Sequence, residues 1–155
     1  MKYIDLDGVL VNLDKWLINI DSNGAKDEKT FNEIAIKYYD KLFIDSEPIL
    51  DNFKLLNGEY RILSALPNIK NYLKYGLAMG LDYCDIINRH NILYNNKIEW
   101  CKKYNIIISN VIIVEARKLK SNYALSSDDI LYDDSIKNIE EWEQAGGTGI
   151  LVPYK

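Results

Sequence analysis

The run Val111-Ile112-Ile113-Val114 is continuous and β-branched, without the alternation of a half-exposed strand. Such a run reads as a strand covered on both faces, which in turn requires a parallel sheet with helices on either side. Other short apolar runs share its punctuation. Tyr3-Ile4 with Leu6 ends at Asp5–Gly8, and Arg61-Ile62-Leu63 is stopped by the Ser64-Ala65-Leu66-Pro67 turn. Ile130-Leu131-Tyr132 ends in Asp133-Asp134, and Ile150-Leu151-Val152 is closed by Pro153. Between them the spacing predicts helices over about Ile69 to Met79, over Ile92 to Tyr104, and over Ile136 to Ala145, the last capped by Ser135 and ended by Gly146-Gly147. Strands alternating with helices predict an α/β fold, a Rossmann-like parallel sheet of about five strands flanked by helices.

The segment from Val11 to Tyr60 breaks that rhythm. It predicts helices over Leu13–Ile20, Thr30–Leu42 and Ile49–Leu56, a small helical cap inserted after the first strand. The expected organisation is one domain over 1–155, with a core of 1–10 and 60–155 and a cap of about 11–59. A chain of 155 residues suffices for one such core and is short for two.

The acidic residues fall at the strand ends. In an open α/β sheet, ligands bind beyond the carboxyl ends of the strands. Asp5 and Asp7 follow the first strand, Ser64 the second, Lys118 and Lys120 the third, and Asp133-Asp134 the fourth. Carboxylates crowded together repel one another unless a cation is present, and Mg²⁺ suits a few carboxylates with water and phosphate oxygens. Asp5 is ionised at neutral pH if unperturbed, so it is a competent nucleophile without a partner base. Asp7 is placed to protonate a leaving alkoxide and then deprotonate water. Ser64 and a lysine would hold phosphate oxygens as negative charge spreads over them. Gly8 lets the chain leave the strand without a side chain in the way.

These residues resemble the haloacid dehalogenase superfamily. Asp5-Leu6-Asp7-Gly8-Val9-Leu10 is similar to its first motif, Ser64 after an apolar strand to its second, Lys120 to its third, and Leu131-Tyr132-Asp133-Asp134 to its fourth. The resemblance implies an aspartyl-phosphate at Asp5, acid/base work by Asp7, and Mg²⁺ held by Asp5, Asp7 through its carbonyl, and the acidic pair. Asp134 is the expected direct ligand and Asp133 a residue behind it that orients water or ligands. Lys97-Ile98-Glu99-Trp100, a following lysine, Tyr132-Asp133-Asp134-Ser135 and a tryptophan-bearing helix are similar to the 5′(3′)-deoxyribonucleotidases and their bacterial and phage relatives. That implies a phosphomonoesterase acting on a nucleoside monophosphate. Lys118 and Lys120 both fit the third motif, and the Lys120-Ser121-Asn122-Tyr123-Ala124 context favours Lys120.

Other readings weigh less. Asp133-Asp134 also suits the acidic start of a helix, and Ser64 a turn cap. A receiver-type signalling domain needs its phosphorylated Asp after the third strand, where this chain has Glu115-Ala116-Arg117. A silent phosphate-binding relative would have no use for Asp7 beside Asp5. Phosphatase action on nucleic-acid ends or other small phosphate esters stays open, as does the oligomeric state. His90, the only histidine, is expected at a helix start as a surface or capping residue, which excludes a Ser-His-Asp hydrolase. The net charge of −4 argues against a surface that coats nucleic acid. Cys84 and Cys101 lack metal-ligand spacing, and no run approaches the roughly 18 apolar residues of a membrane span, so a reduced, cytoplasmic setting is expected.

Overall fold

In the computed structural model, which describes residues 1–153, strands and helices alternate as the sequence predicts. The strands are β1 (Lys2–Ile4), β2 (Arg61–Ala65), β3 (Val111–Val114), β4 (Ile130–Asp133) and β5 (Thr148–Leu151). They form one five-stranded sheet in the order β3-β2-β1-β4-β5, with every adjacent pair parallel. The chain winds outward from β1 to β3, then returns to β4 on the other side of β1. The strand order therefore reverses between β1 and β4, where a crevice opens at the carboxyl edge of such a sheet.

The helices are α1 (Leu13–Ile20), α2 (Glu28–Lys37), α3 (Ile69–Ala78), α4 (Tyr83–Lys103) and α5 (Ile136–Gln144). Short 3₁₀ segments occupy Leu50–Leu56, Ile108–Asn110 and Arg117–Tyr123. Among the described residues no helix is long and apolar enough to cross a membrane. Helix α5 starts as expected, the Ser135 side chain accepting a hydrogen bond from the Asn138 N–H at 3.3 Å. Helix α2 starts at Asp27, which accepts from the Thr30 N–H at 2.8 Å.

Several expectations need correction. The β-branched run of β3 lies at the sheet edge, half-buried over Val111–Ile113, because β-branching reports strand propensity and not position in the sheet. Strand β2 does not stop before Ser64 but carries it, fully buried, with Ala65 as its last residue. The helix expected from Ile92 begins nine residues earlier, capped by Asp82, whose side chain accepts from the Asp85 N–H at 2.8 Å. His90 consequently lies inside α4, buried, with Nε2 at 2.8 Å from the Pro67 carbonyl. In the cap, the second helix is shorter than expected and the third is 3₁₀ over Leu50–Leu56.

One continuous apolar cluster joins Leu17, Ile34 and Phe43 of the insertion to Ile4 and Ile62 of the sheet and Trp100 of α4. The insertion thus shares the core of the sheet and is seated firmly against its carboxyl edge. A second cluster on the other face gathers Tyr3, Leu63, Leu131 and Trp142 under α5. Trp100 and Trp142 are fully buried core residues, as their helical positions imply.

Candidate active site

Asp5 follows directly on β1, its backbone N–H still donating to the Tyr132 carbonyl of β4 at 2.9 Å. That bond sets it in the β1/β4 crevice. Only 5% of Asp5 is exposed. Its Oδ1 accepts from the Leu6 N–H at 2.8 Å and lies 2.9 Å from Lys120 Nζ. Oδ2 has no such contact among the described residues. Burial pushes the Asp5 carboxyl well above the usual carboxylate range. Lys120 opposes that rise, and Asp133 and Asp7 add to it.

Of the two candidate lysines, Lys120 is the one that reaches the carboxylates. Its Nζ, buried, bridges Asp5 Oδ1 and Asp133 Oδ2, each at 2.9 Å. Burial alone would pull its pKa down, yet the two carboxylates outweigh burial and raise it. Lys118 is exposed at the rim of the cleft. Asp133 is fully buried and well occupied. Oδ2 also accepts from Asn138 Nδ2 at 2.9 Å, and Oδ1 accepts from the Ser135 N–H at 2.9 Å.

Asp134 sits against Gly8. A Cβ built at Gly8 would collide with the Asp134 carboxylate, and the residue holds φ of +78°, which glycine adopts without strain. Gly8 therefore makes room for an acidic side chain from the neighbouring strand end, a reason beyond the turn itself. Burial pushes Asp134 up to about 7, with further repulsion from Asp133, Asp7 and Asp14. Oxygens of Asp5, Asp133 and Asp134 lie within 4.8 Å of one another.

The structure separates Asp7 from that trio. Its Oδ2 accepts from Lys97 Nζ at 2.6 Å, and the same Nζ donates to Ser64 Oγ at 2.8 Å. Asp7 Oδ1 is buried without a hydrogen-bond partner. Lys97 is 1% exposed and lies 4.1 Å above the centre of the Phe43 ring. In the sequence Lys97 stands only within a motif and has no evident place in the site. A signal was present. Ile86, His90, Leu93, Lys97 and Trp100 recur every three or four residues, and all five are buried on one face of α4. A lysine in that stripe needs a buried partner, and its partner is the Asp7–Ser64 pair.

Replacing Lys97 by methionine keeps the stem and removes the ammonium. Asp7 and Ser64 then lose their shared donor, and the carboxylate is left unpaired in a largely buried place. The expected cost is about 3 kcal/mol of stability, toward the low end for a broken buried pair because Asp7 is partly exposed. A urea titration of Lys97→Met checks it, and an unchanged midpoint would show that Lys97 does not hold this arrangement.

Asp5 and Asp7 open onto a cleft of about 850 Å³ along the carboxyl edge of the sheet. One wall comes from the insertion, with Lys26, Asp27, Phe31 and Phe43. A second part of the lining comes from the 3₁₀ segment after β3 and the start of α5, with Arg117, Lys118 and Lys137. Ser64 lies behind the cleft surface and is not among its lining residues. Compared with models of known protein families and with curated proteins, the chain matches none.

Proposed function

We propose that this protein is a Mg²⁺-dependent phosphomonoesterase that works through an aspartyl-phosphate at Asp5, in the manner of the haloacid dehalogenase superfamily, with a nucleoside monophosphate as substrate. The observation that supports it best is the junction of two charge systems at the point where strand order reverses. Asp5, Asp133, Asp134 and Lys120 form one; Asp7, Lys97 and Ser64 form the other. A purely structural cluster has no need to keep two carboxylates, two residues apart, under separate control.

The fit to Mg²⁺ follows from the donor set. The gathered ligand atoms are all hard carboxylate oxygens, and two of their owners have carboxyls raised by burial and mutual repulsion. A cation relieves both costs. Asp5 and Asp134 would hold it with the Asp7 backbone carbonyl, Asp133 supporting from behind. When bound, Mg²⁺ would neutralise phosphate charge and keep Asp5 ionised.

The chain's own residues supply the rest. Asp5 Oδ2 attacks phosphorus while Oδ1 stays with Leu6 N–H and Lys120. The phosphorus–oxygen ester bond breaks, and the leaving alkoxide takes a proton from Asp7. Asp7 then removes a proton from water, the hydroxide attacks the aspartyl-phosphate, and inorganic phosphate leaves with Asp5 restored. Lys97 holds Asp7 through Oδ2, leaving Oδ1 as the oxygen without a competing donor. Ser64, fully buried behind the cleft surface, accepts from Lys97 and helps hold it against Asp7.

The insertion supplies the substrate wall. Of the aromatic residues there, Trp16, Tyr38, Tyr39 and Phe53 pack against the core, while Phe31 and Phe43 line the cleft. Phe43 is only 2% exposed and lies under Lys97, which leaves Phe31 as the ring for a base. Base–aromatic stacking is worth about 1–3 kcal/mol, equivalent to roughly ten- to hundredfold in affinity. The test is phosphate release from deoxynucleoside monophosphates, glucose 6-phosphate and phosphoserine, with and without Mg²⁺. The expected result is Mg²⁺-dependent release with kcat/KM about tenfold or more in favour of the nucleotides. Equal values across the set would remove the nucleotidase assignment, and no release from any substrate would remove the phosphatase.

A further inference from the structure

The mechanism uses one lysine of the cleft, Lys120, and leaves three cations on the α5 side without a task. Arg117, Lys118 and Lys137 all line the cleft on the side of α5. Arg117 is committed, with Nη1 at 2.6 Å from Glu141 Oε2 and 3.2 Å from Asn138 Oδ1. Its hold on Glu141 takes the carboxylate that Lys137, one turn earlier on α5, would otherwise meet. Lys118 and Lys137 are exposed, and no carboxylate lies within ion-pair distance of either among the described residues. No acidic residue lines this wall of the cleft, whereas the insertion wall sets Asp27 and Glu28 against Lys26. The protein as a whole carries −4, so a wall of unbalanced positive charge beside the reacting group is not an average sample of its surface.

The reacting phosphate does not need these lysines. Lys120, which lines the cleft beside Asp5, would serve it together with the proposed cation. The cleft is also roomy. At about 850 Å³ it stands in the upper part of the range, ~300–1,000 Å³, that holds whole small-molecule ligands.

We infer that Lys118 and Lys137 form a subsite for a second phosphate group on the substrate, one that is bound and not cleaved. The inference rests on the phosphatase reading and deepens it. The preferred substrate carries two phosphate groups: a monoester placed at Asp5 and a second phosphate a few bonds away on the α5 side. A nucleoside bisphosphate has this chemistry, and so does the first phosphodiester next to a phosphorylated oligonucleotide end. The second group keeps all its bonds, and its charge is matched by the two ammonium groups.

The experiment compares kcat/KM for thymidine 5′-monophosphate, thymidine 3′,5′-bisphosphate and 5′-phosphorylated dithymidylate with Mg²⁺ present. The bisphosphate is expected to exceed the monophosphate about tenfold, the size of one charge-assisted hydrogen bond. The advantage should shrink with added NaCl, since both lysines are exposed. In the double variant Lys118→Ala/Lys137→Ala, the ratio of bisphosphate to monophosphate kcat/KM should fall toward one. Dithymidylate matching the bisphosphate would identify a nucleic-acid end as the source of the second phosphate, and dithymidylate matching the monophosphate would identify a free nucleotide. A wild-type ratio near one, or a ratio unchanged by the double substitution, overturns the subsite while the phosphatase stands. If none of the three releases phosphate, the phosphatase reading fails, and equilibrium binding to the full chain decides the subsite. Thymidine 3′,5′-bisphosphate should then bind about tenfold more tightly than the monophosphate, with the advantage lost in the double variant; equal affinities overturn it.

Discussion

Asp5→Asn should lower turnover by about 10⁴-fold or more while leaving the fold in place. The two halves of that expectation have separate physical grounds. Asparagine has the shape of aspartate, and its Oδ1 can still accept from the Leu6 N–H and Lys120. It lacks the anionic oxygen that attacks phosphorus in the proposed mechanism, so that covalent route would close. Stability should change little because two effects oppose each other. Lys120 loses a charged partner but keeps Asp133, and a carboxyl whose charged form is disfavoured by burial is replaced by a neutral group. The check is single-turnover phosphate release together with thermal melting. Melting within a few degrees of wild type with activity lost identifies a chemical role. Near-normal activity in Asp5→Asn would end the aspartyl-phosphate mechanism.

The parts of this arrangement that were legible in the sequence share one property: each lies within a few residues of a strand end. Asp5, Asp7, Ser64 and Asp133-Asp134 are each marked by the end of an apolar run, and local pattern suffices to find such positions. Lys120 was legible by its context, although spacing alone could not separate it from Lys118. Lys97 was not, because its meaning depends on partners 90 and 33 residues away. The first half of α4 hid it further. Asn88, Arg89, His90 and Asn91 are polar enough to obscure the apolar stripe, so the local pattern starts the helix at Ile92, with His90 at its start. In the folded chain Arg89 pairs with Asp85 and donates to the Ile36 carbonyl, and His90 meets the Pro67 carbonyl. Tertiary partners make those polar residues helical. Strand order is hidden for a similar reason. Nothing local in Val111–Val114 tells that it closes the sheet on one side.

Within the same reading, Mg²⁺ should stabilise the protein more as pH rises from 5 to 8, and chelation should abolish activity that Mg²⁺ restores. Asp134 carries a carboxyl raised to about 7, and Asp5 one raised well above its usual range, burial being the largest cause for both. A carboxyl with a folded pKa above its unfolded value, about 3.9, binds protons more tightly when folded. Its contribution to stability is fully present below about pH 4 and is lost as pH rises through the folded value. The metal-free protein should therefore lose stability from these two groups between pH 4 and about 7 for Asp134, and above pH 4 in the same direction for Asp5. A divalent cation takes the place of the protons. At pH 5 protons compete with it for Asp134, whereas at pH 8 the carboxylate is charged and the repulsion it relieves is greatest. The measurement is the rise in Tm on adding Mg²⁺ to chelator-treated protein at pH 5, 6.5 and 8. A rise that grows with pH ties the metal to these carboxylates. A rise independent of pH, or none at all, would place Mg²⁺ elsewhere or nowhere, and full activity in excess chelator would remove it from the chemistry.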